Sequence, residues 1–376
     1  MQQLKRVSLL LSMLVGLCAL LQPHVHAETK DEQPQPVRFY AWGGSAEVNA
    51  YIEWAKNELA QSHNIDLQHV KVADISEAVA LLLAPADTQT SAIDLLWING
   101  ENFAALKNAN KLVGDMPEKV PNAKHLRQDL QWQIDFGTAV EGYELPWGIA
   151  QLQLIVRNDL LGEQQTVLRP QDFYQLAKEQ PGRFSYPKPP SFHGTSWLKA
   201  LAFQLIDDTD PLLQPVDLDT ASRLLAPLWR YLDQLHPHLW RAGEEFPISA
   251  GRQRQLYNQG VLDNSITFNP NEVRALQLQQ KLAPDARSIS LGSSALTNFH
   301  YLAIPTASRR QEAALKVIDF FLSPYAQGVK AQPQGWADPS VVRLANTTSL
   351  LVASHPEPHV SWNEVFEQEW LARYQR

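Results

Sequence analysis

The chain has 376 residues, with 40 Asp+Glu against 32 Lys+Arg, a formal net charge of −8 and a single cysteine. That acidic balance excludes the electrostatic footprint of a nucleic-acid or anionic-membrane partner, and one cysteine excludes a disulfide framework or a cysteine-built zinc site. The length is more than one ordinary domain holds, so two lobes are expected.

The first element is expected to be lost before the fold forms. Lys5 and Arg6 precede an apolar run from Val7 to Leu21, and Val25-His26-Ala27 follows. This is the anatomy of a secretory signal cut after Ala27. The run is shorter than the roughly 20 apolar residues that span a bilayer, and Cys18 follows the bulky Leu17, which does not suit lipidation. Cleavage leaves 30 Lys+Arg against 40 acids, a charge of −10, and no thiol. The expectation is a soluble periplasmic chain held together by its core alone.

Beyond the leader, strand-like runs occur at Arg38–Trp42, His69–Val72, Ile93–Ile98, Leu152–Val156, Val261–Phe268 and Phe299–Ile304. Helical spacing lies between them. Val48, Ile52, Ala55 and Leu59 share one helical face after Ser45, a candidate N-cap, and Ala314, Val317, Ile318 and Phe321 repeat the pattern. Strands alternating with helices predict an α/β architecture. In such sheets ligands sit where strands hand over to loops. Those junctions carry Trp42-Gly43-Gly44-Ser45, Asn99-Gly100-Glu101-Asn102, Pro146-Trp147-Gly148, Thr267-Phe268-Asn269 and Thr297-Asn298. A tryptophan beside glycine gives a flat stacking surface next to backbone that can approach a ligand closely. The plainer account of each tryptophan is packing.

The segment "LTNFHYLAIPTASRRQEAALKVIDFFLSPYAQGVKA" resembles the closing part of the extracellular solute-binding proteins that serve ABC importers. "AIDLLWINGENF", "ELPWGIAQLQLIVRND" and "DNSITFNPNEV" fit further segments in the same order. The likeness runs from about Val37 to Trp336 and is narrowest for the YnjB-like subfamily, near the thiamine, polyamine and ferric-ion binders. It implies an α/β, two-lobed periplasmic-binding-protein fold of type II, with the ligand held in a cleft that closes by a hinge. Gln151–Arg157 and Asn298–Pro305 would be the crossing strands. Lobe one would hold residues 28–150 and 305–335, including a helix over 311–330, and lobe two residues 151–304 and 336–376. The protein would be a monomer without cofactor that delivers a small molecule to an inner-membrane ABC permease, with no nucleic-acid partner and no chemistry of its own.

On that frame the expected contacts are Trp42, Gly43, Gly44 and Ser45, then Asn99, Glu101 and Asn102, with Trp147 by the hinge. Ser191, Thr195, Ser196, Thr267 and Asn269 would face them, and His300 would line the cleft. Glu101, Glu144, Asp263 and Asp338, with Trp42, Trp97 and Trp147, suit a thiamine- or polyamine-like organic cation. Ser191, Gly194, Thr195 and Ser196 at a helix start suit an anionic group or plain capping. An aromatic cleft also suits a carbohydrate. A ferric or zinc site is not expected: Tyr231 and Tyr257 stand apart, and the histidines lack a metal-binding spacing. The enzymatic alternative is a serine acyl-enzyme built on Ser196 and Lys199, without its companion motifs. Trp336-Ala337-Asp338 replaces the family's Trp-Gly-Asp, and the carboxy-terminal segment reads as an amphipathic helix docked on lobe two.

Overall fold

The computed structural model describes residues 33–72, 74–84, 92–345 and 351–375, and the expected export signal lies outside them. From Pro34 onward the chain forms one compact unit, organised on two sheets.

The larger sheet starts with β1 (Gln35–Trp42), flanked in parallel by β2 (Ile65–Val72) and β3 (Leu95–Ile98). Between β1 and β2 lies α1 (Ala46–His63), which begins where expected: the Ser45 hydroxyl accepts from the backbone N–H of Glu47 and Val48. Its buried face is Val48, Tyr51, Ile52, Ala55 and Leu59. After β3, α2 (Gly100–Asn108) leaves the sheet, and a short hairpin of β4 (Ile134–Asp135) and β5 (Thr138–Ala139) follows.

The "ELPWGIAQ" stretch is itself a strand. β6 (Leu145–Gln151) is buried along its whole length, so it shows no in-out alternation and its Pro-Trp-Gly reads from sequence as a loop. Leu152 alone separates it from β7 (Gln153–Arg157), which belongs to the smaller sheet of β8 (Val167–Leu168), β10 (Ala286–Leu291), β7 and β9 (Asn264–Thr267). The chain returns at residues 292–294. β11 (Ala295–Ala303) then pairs antiparallel with β3 and β6 and parallel with β12 (Ser354–Pro356). The segment read as the second crossing therefore lies in the larger sheet, and the change of sheet comes just before it.

Each sheet carries its own core. One packs β1, α1 and β6 against α4 (Gln311–Phe321) through Phe39, Tyr51, Trp147 and Phe321. The other packs α3 (Phe192–Leu205) against α6 (Trp362–Tyr374) through Trp197, Leu201, Trp362, Phe366 and Trp370. The expected helix over 311–330 is broken into α4 and α5 (Pro324–Lys330): Ser323 caps the second piece, and Pro324 cannot continue the first.

Candidate ligand cleft

Between the two bodies lies a cavity of about 810 Å³. Trp42, Ser45, Trp97, Asn99, Glu101, Asn102, His300, Trp336 and Asp338 line it from the larger-sheet side. Phe192, Thr195, Lys199, Thr267, Phe268, Asn269 and Glu272 line it from the other, together with Asn363 and Glu367 of α6. Nine expected residues are thus brought together: Trp42, Ser45, Asn99, Glu101, Asn102, Thr195, Thr267, Asn269 and His300.

Five are not. Trp147 has no exposed surface and sits in the first core, against Phe39, Trp97, Phe321 and Trp336. Gly43 gives its N–H to the Val72 carbonyl and its carbonyl to Asn49, so it offers a ligand nothing. Gly44 is where the ring of Trp42 lies; a Cβ there would collide with it. Gly44 thus seats the tryptophan, whereas a Cβ at Gly43 would meet the Lys71 side chain. Ser191 caps α3 through Gly194 N–H at 3.3 Å, and Ser196 is fully buried. At that helix start Gly194 packs closely on the Pro187–Pro189 backbone.

The tyrosines and the Ser196/Lys199 pair find other places. Tyr231 donates to the Pro170 carbonyl, and neither it nor Tyr257 lines the cleft. Lys199 bonds Glu357 at 2.9 Å inside the protein, and the buried Ser196 hydroxyl has no hydrogen-bond partner among the described residues.

Charge separates the four carboxylates singled out from sequence. Asp263 is held by Arg157 and Arg183, away from the cleft. Glu144 is wholly buried, and burial, reinforced by nearby Asp135, pushes its carboxyl well above the usual range. Asp338 lines the cleft but is neutralised from behind by the Lys330 ammonium. Glu101 alone faces the cleft without a cation; its carboxylate accepts from Asn363 at 3.4 Å.

Sequence reasoning missed four others. Among the described residues six carboxylates line the cleft: Glu47, Asp74, Glu101, Glu272, Asp338 and Glu367. Lys281, Arg254 and Lys330 pair with Glu47, Glu272 and Asp338. Asp74, Glu101 and Glu367 are left without an ion-pair partner among the described residues. Lys199 is the one Lys or Arg lining the cleft among the described residues; it pairs with Glu357 at 2.9 Å, and its charge also acts on Glu367. Burial raises the Glu367 carboxyl against the Thr195 hydroxyl that donates to it at 2.7 Å. His193 adds no positive charge, because burial lowers it to about 4. Glu367 was hidden because the apolar face of α6 draws attention, while Asn363 and Glu367, four apart, form a second face turned to the cleft.

The two sides touch directly. Asn269 and Asn271 donate side-chain N–H groups to the carbonyls of Trp336 and Ala337 at 3.3 and 2.8 Å. Trp336, also missed from sequence, stacks on His300 and meets Trp97, so three rings form a continuous wall.

A family model described as bacterial extracellular solute-binding protein matches residues 54–341. Protein YnjB of Escherichia coli (strain K12) is 38% identical over 381 residues, covering 96% of this chain and 98% of that one. A structure from Bordetella parapertussis, solved as a candidate extracellular solute-binding protein, superposes with a TM-score of 0.70 at 11% identity, over 90% of this chain and 98% of that one. The spermidine/putrescine ABC transporter substrate-binding protein PotD of Streptococcus pneumoniae does so with a TM-score of 0.59 at 15% identity, over 78% and 80%. At such identities these structures speak for the two-lobed fold alone.

Proposed function

The chain belongs to the bacterial extracellular solute-binding proteins and is the solute-binding component of an ABC transporter, and on that premise we propose that its cleft captures a small organic cation. Export through the leader would place it in the periplasm, where it hands the ligand to its permease. The observation that carries the reading is that three carboxylates without an ion-pair partner among the described residues, Asp74, Glu101 and Glu367, line the same cavity as the rings of Trp42, Trp97 and Trp336.

A cation over an aromatic face gains about 2 kcal/mol or more once water is excluded, and a carboxylate beside it adds charge-assisted hydrogen bonds. Glu101 stands on one wall and Glu367 on the other, so closing the cleft brings like charges together. A cation between them offsets that repulsion. The ligand therefore favours the closed form over the open one, and the population shifts to the closed form. An anionic sugar phosphate would add to the repulsion instead.

A thermal-shift screen of residues 28–376 with thiamine, spermidine, ferric citrate, maltose and a penicillin tests this. A ligand at a hundred times its Kd adds about 2.7 kcal/mol. A higher melting temperature with thiamine or spermidine is the expected result. A rise with maltose alone would overturn the cation reading and favour a carbohydrate; a covalent penicillin adduct would revive Ser196 and make the protein an enzyme.

A further inference from the structure

His300 sits on the cleft floor in an unusual setting. Its ring meets Trp97 edge-on with centroids 4.8 Å apart and stacks on Trp336 at 5.8 Å. Its Nε2 lies 3.5 Å from Oδ1 of Asp338, whose other oxygen takes the Lys330 ammonium. Lys330 has no exposed surface, and its remaining hydrogen bonds go to the carbonyls of Trp147 and Pro339 at 2.5 and 3.2 Å. The carboxylate is thus gripped from behind and presents one fixed oxygen to the imidazole.

Gly148 makes the arrangement fit. It stands opposite His300 in the β6–β11 register, where the pairing shifts between His300 and Tyr301. A Cβ at Gly148 would run into Asp338 and His300 Cδ2, and would come within 3.2 Å of Lys330 Nζ. Any other residue there would push the three side chains apart. The irregularity leaves Trp147 of β6 as the extra residue between the His300–Gly148 and Tyr301–Pro146 pairs, a β-bulge of the kind that redirects neighbouring side chains.

We propose that Lys330, Asp338 and Gly148 are positioning residues that lock His300 in the Nε2–H tautomer, so that Nδ1 serves the cleft as a hydrogen-bond acceptor and selects ligands carrying an N–H or O–H donor. A carboxylate accepts and cannot donate, so the proton of the neutral ring stays on the nitrogen facing it. The opposite nitrogen is then left with a lone pair. This rests on the cleft being the ligand site, and it adds a neutral, directional contact to the charge of the three free carboxylates. A cation with an N–H satisfies both, whereas a fully alkylated ammonium satisfies only the charge.

Asp338→Asn separates locking from mere packing. The Lys330 ammonium needs an oxygen, so the amide oxygen takes that side and the NH2 turns to His300. The ring must then accept at Nε2 and carry its proton on Nδ1. Imidazole 15N NMR of residues 28–376, assigned by loss of the signal in His300→Gln and read on the alkaline plateau, shows which nitrogen is protonated. The parent should be Nε2–H and Asp338→Asn should be Nδ1–H. If Asp338→Asn fails to fold, the double variant Lys330→Met/Asp338→Asn removes the buried charges together, and its ring should no longer be purely Nε2–H. An Nδ1–H parent, or one tautomer unchanged in parent and variant, overturns the proposal. Silence of every cation in the thermal-shift screen would overturn the ligand reading instead, and would leave the tautomer result standing.

Discussion

Two corners of the molecule look alike as sequence and behave oppositely. Trp42-Gly43-Gly44 and Trp147-Gly148 each set a tryptophan before glycine on a strand. Trp42 is the last residue of β1, 45% exposed, and lines the cleft. Trp147 is the third residue of β6, has no exposed surface, and anchors an aromatic core. The glycines differ too: Gly44 seats its own tryptophan, while Gly148 makes room for side chains from β11 and beyond α5. What decides is position along the strand. A strand's end opens on the cleft, whereas the interior of a strand covered on both faces does not.

Breaking the buried corner should have the largest effect. Trp147→Ala is expected to cost about 3–5 kcal/mol of stability by leaving a cavity in the first core, read by urea denaturation; a loss below about 1 kcal/mol would mean the ring is not a core anchor. Lys330→Met strands the Asp338 carboxylate inside the protein and should cost about 3 kcal/mol or more, as breaking a buried pair does. Lys199→Met should cost less, because Glu357 keeps the Asn298 amide at 3.0 Å. Equal costs would contradict that ranking.

A pH effect comes next. Asp135 accepts the Gly100 N–H at the start of α2, and burial raises its carboxyl to about 8. Unfolded, it titrates near 3.9, so between about 4 and about 8 the folded state holds a proton that the unfolded state has lost. Stability should therefore fall as pH rises through that window. Asp135→Asn keeps an acceptor for Gly100 and removes the fall. Its advantage over the parent should reach the order of a few kcal/mol near pH 8 and vanish below about pH 4; parallel stability curves would contradict the assignment.

The cleft corner should give the smaller effects on folding. Trp42→Ala is expected to change stability by under about 1 kcal/mol and to weaken cation binding by more than about tenfold, some 1.4 kcal/mol. Unchanged affinity would make Trp42 a surface ring without a part in recognition. Ala337→Gly is the mildest change. Ala337 holds φ +60°, where glycine carries no Cβ penalty, so the variant should gain up to about 1 kcal/mol in a thermal melt, and a clear loss would show that the methyl group packs usefully.

Much of the fold was legible because it is written in local pattern. The β1–α1 unit follows from strand propensity, the Ser45 cap and one apolar helical face. β6 was not, since a buried strand carries no alternation to read. The site was half legible for a related reason. Junction residues such as Asn99, Glu101 and Asn269 declare themselves by standing at strand ends, but Glu367 and Trp336 reach the cleft from distant parts of the chain. Charge was the least legible of all. Nothing local distinguishes Asp338, cancelled by Lys330, from Glu101, which is not.

Negative charge in the cleft that no neighbouring cation pairs is expected to select a cationic ligand. The most direct test is a thermal-shift comparison of spermidine and thiamine with glucose 6-phosphate on residues 28–376 and on Glu101→Gln. A melting temperature raised by one of the cations, less so in Glu101→Gln, and unmoved by the sugar phosphate is the predicted result. A rise with glucose 6-phosphate and none with either cation would contradict it.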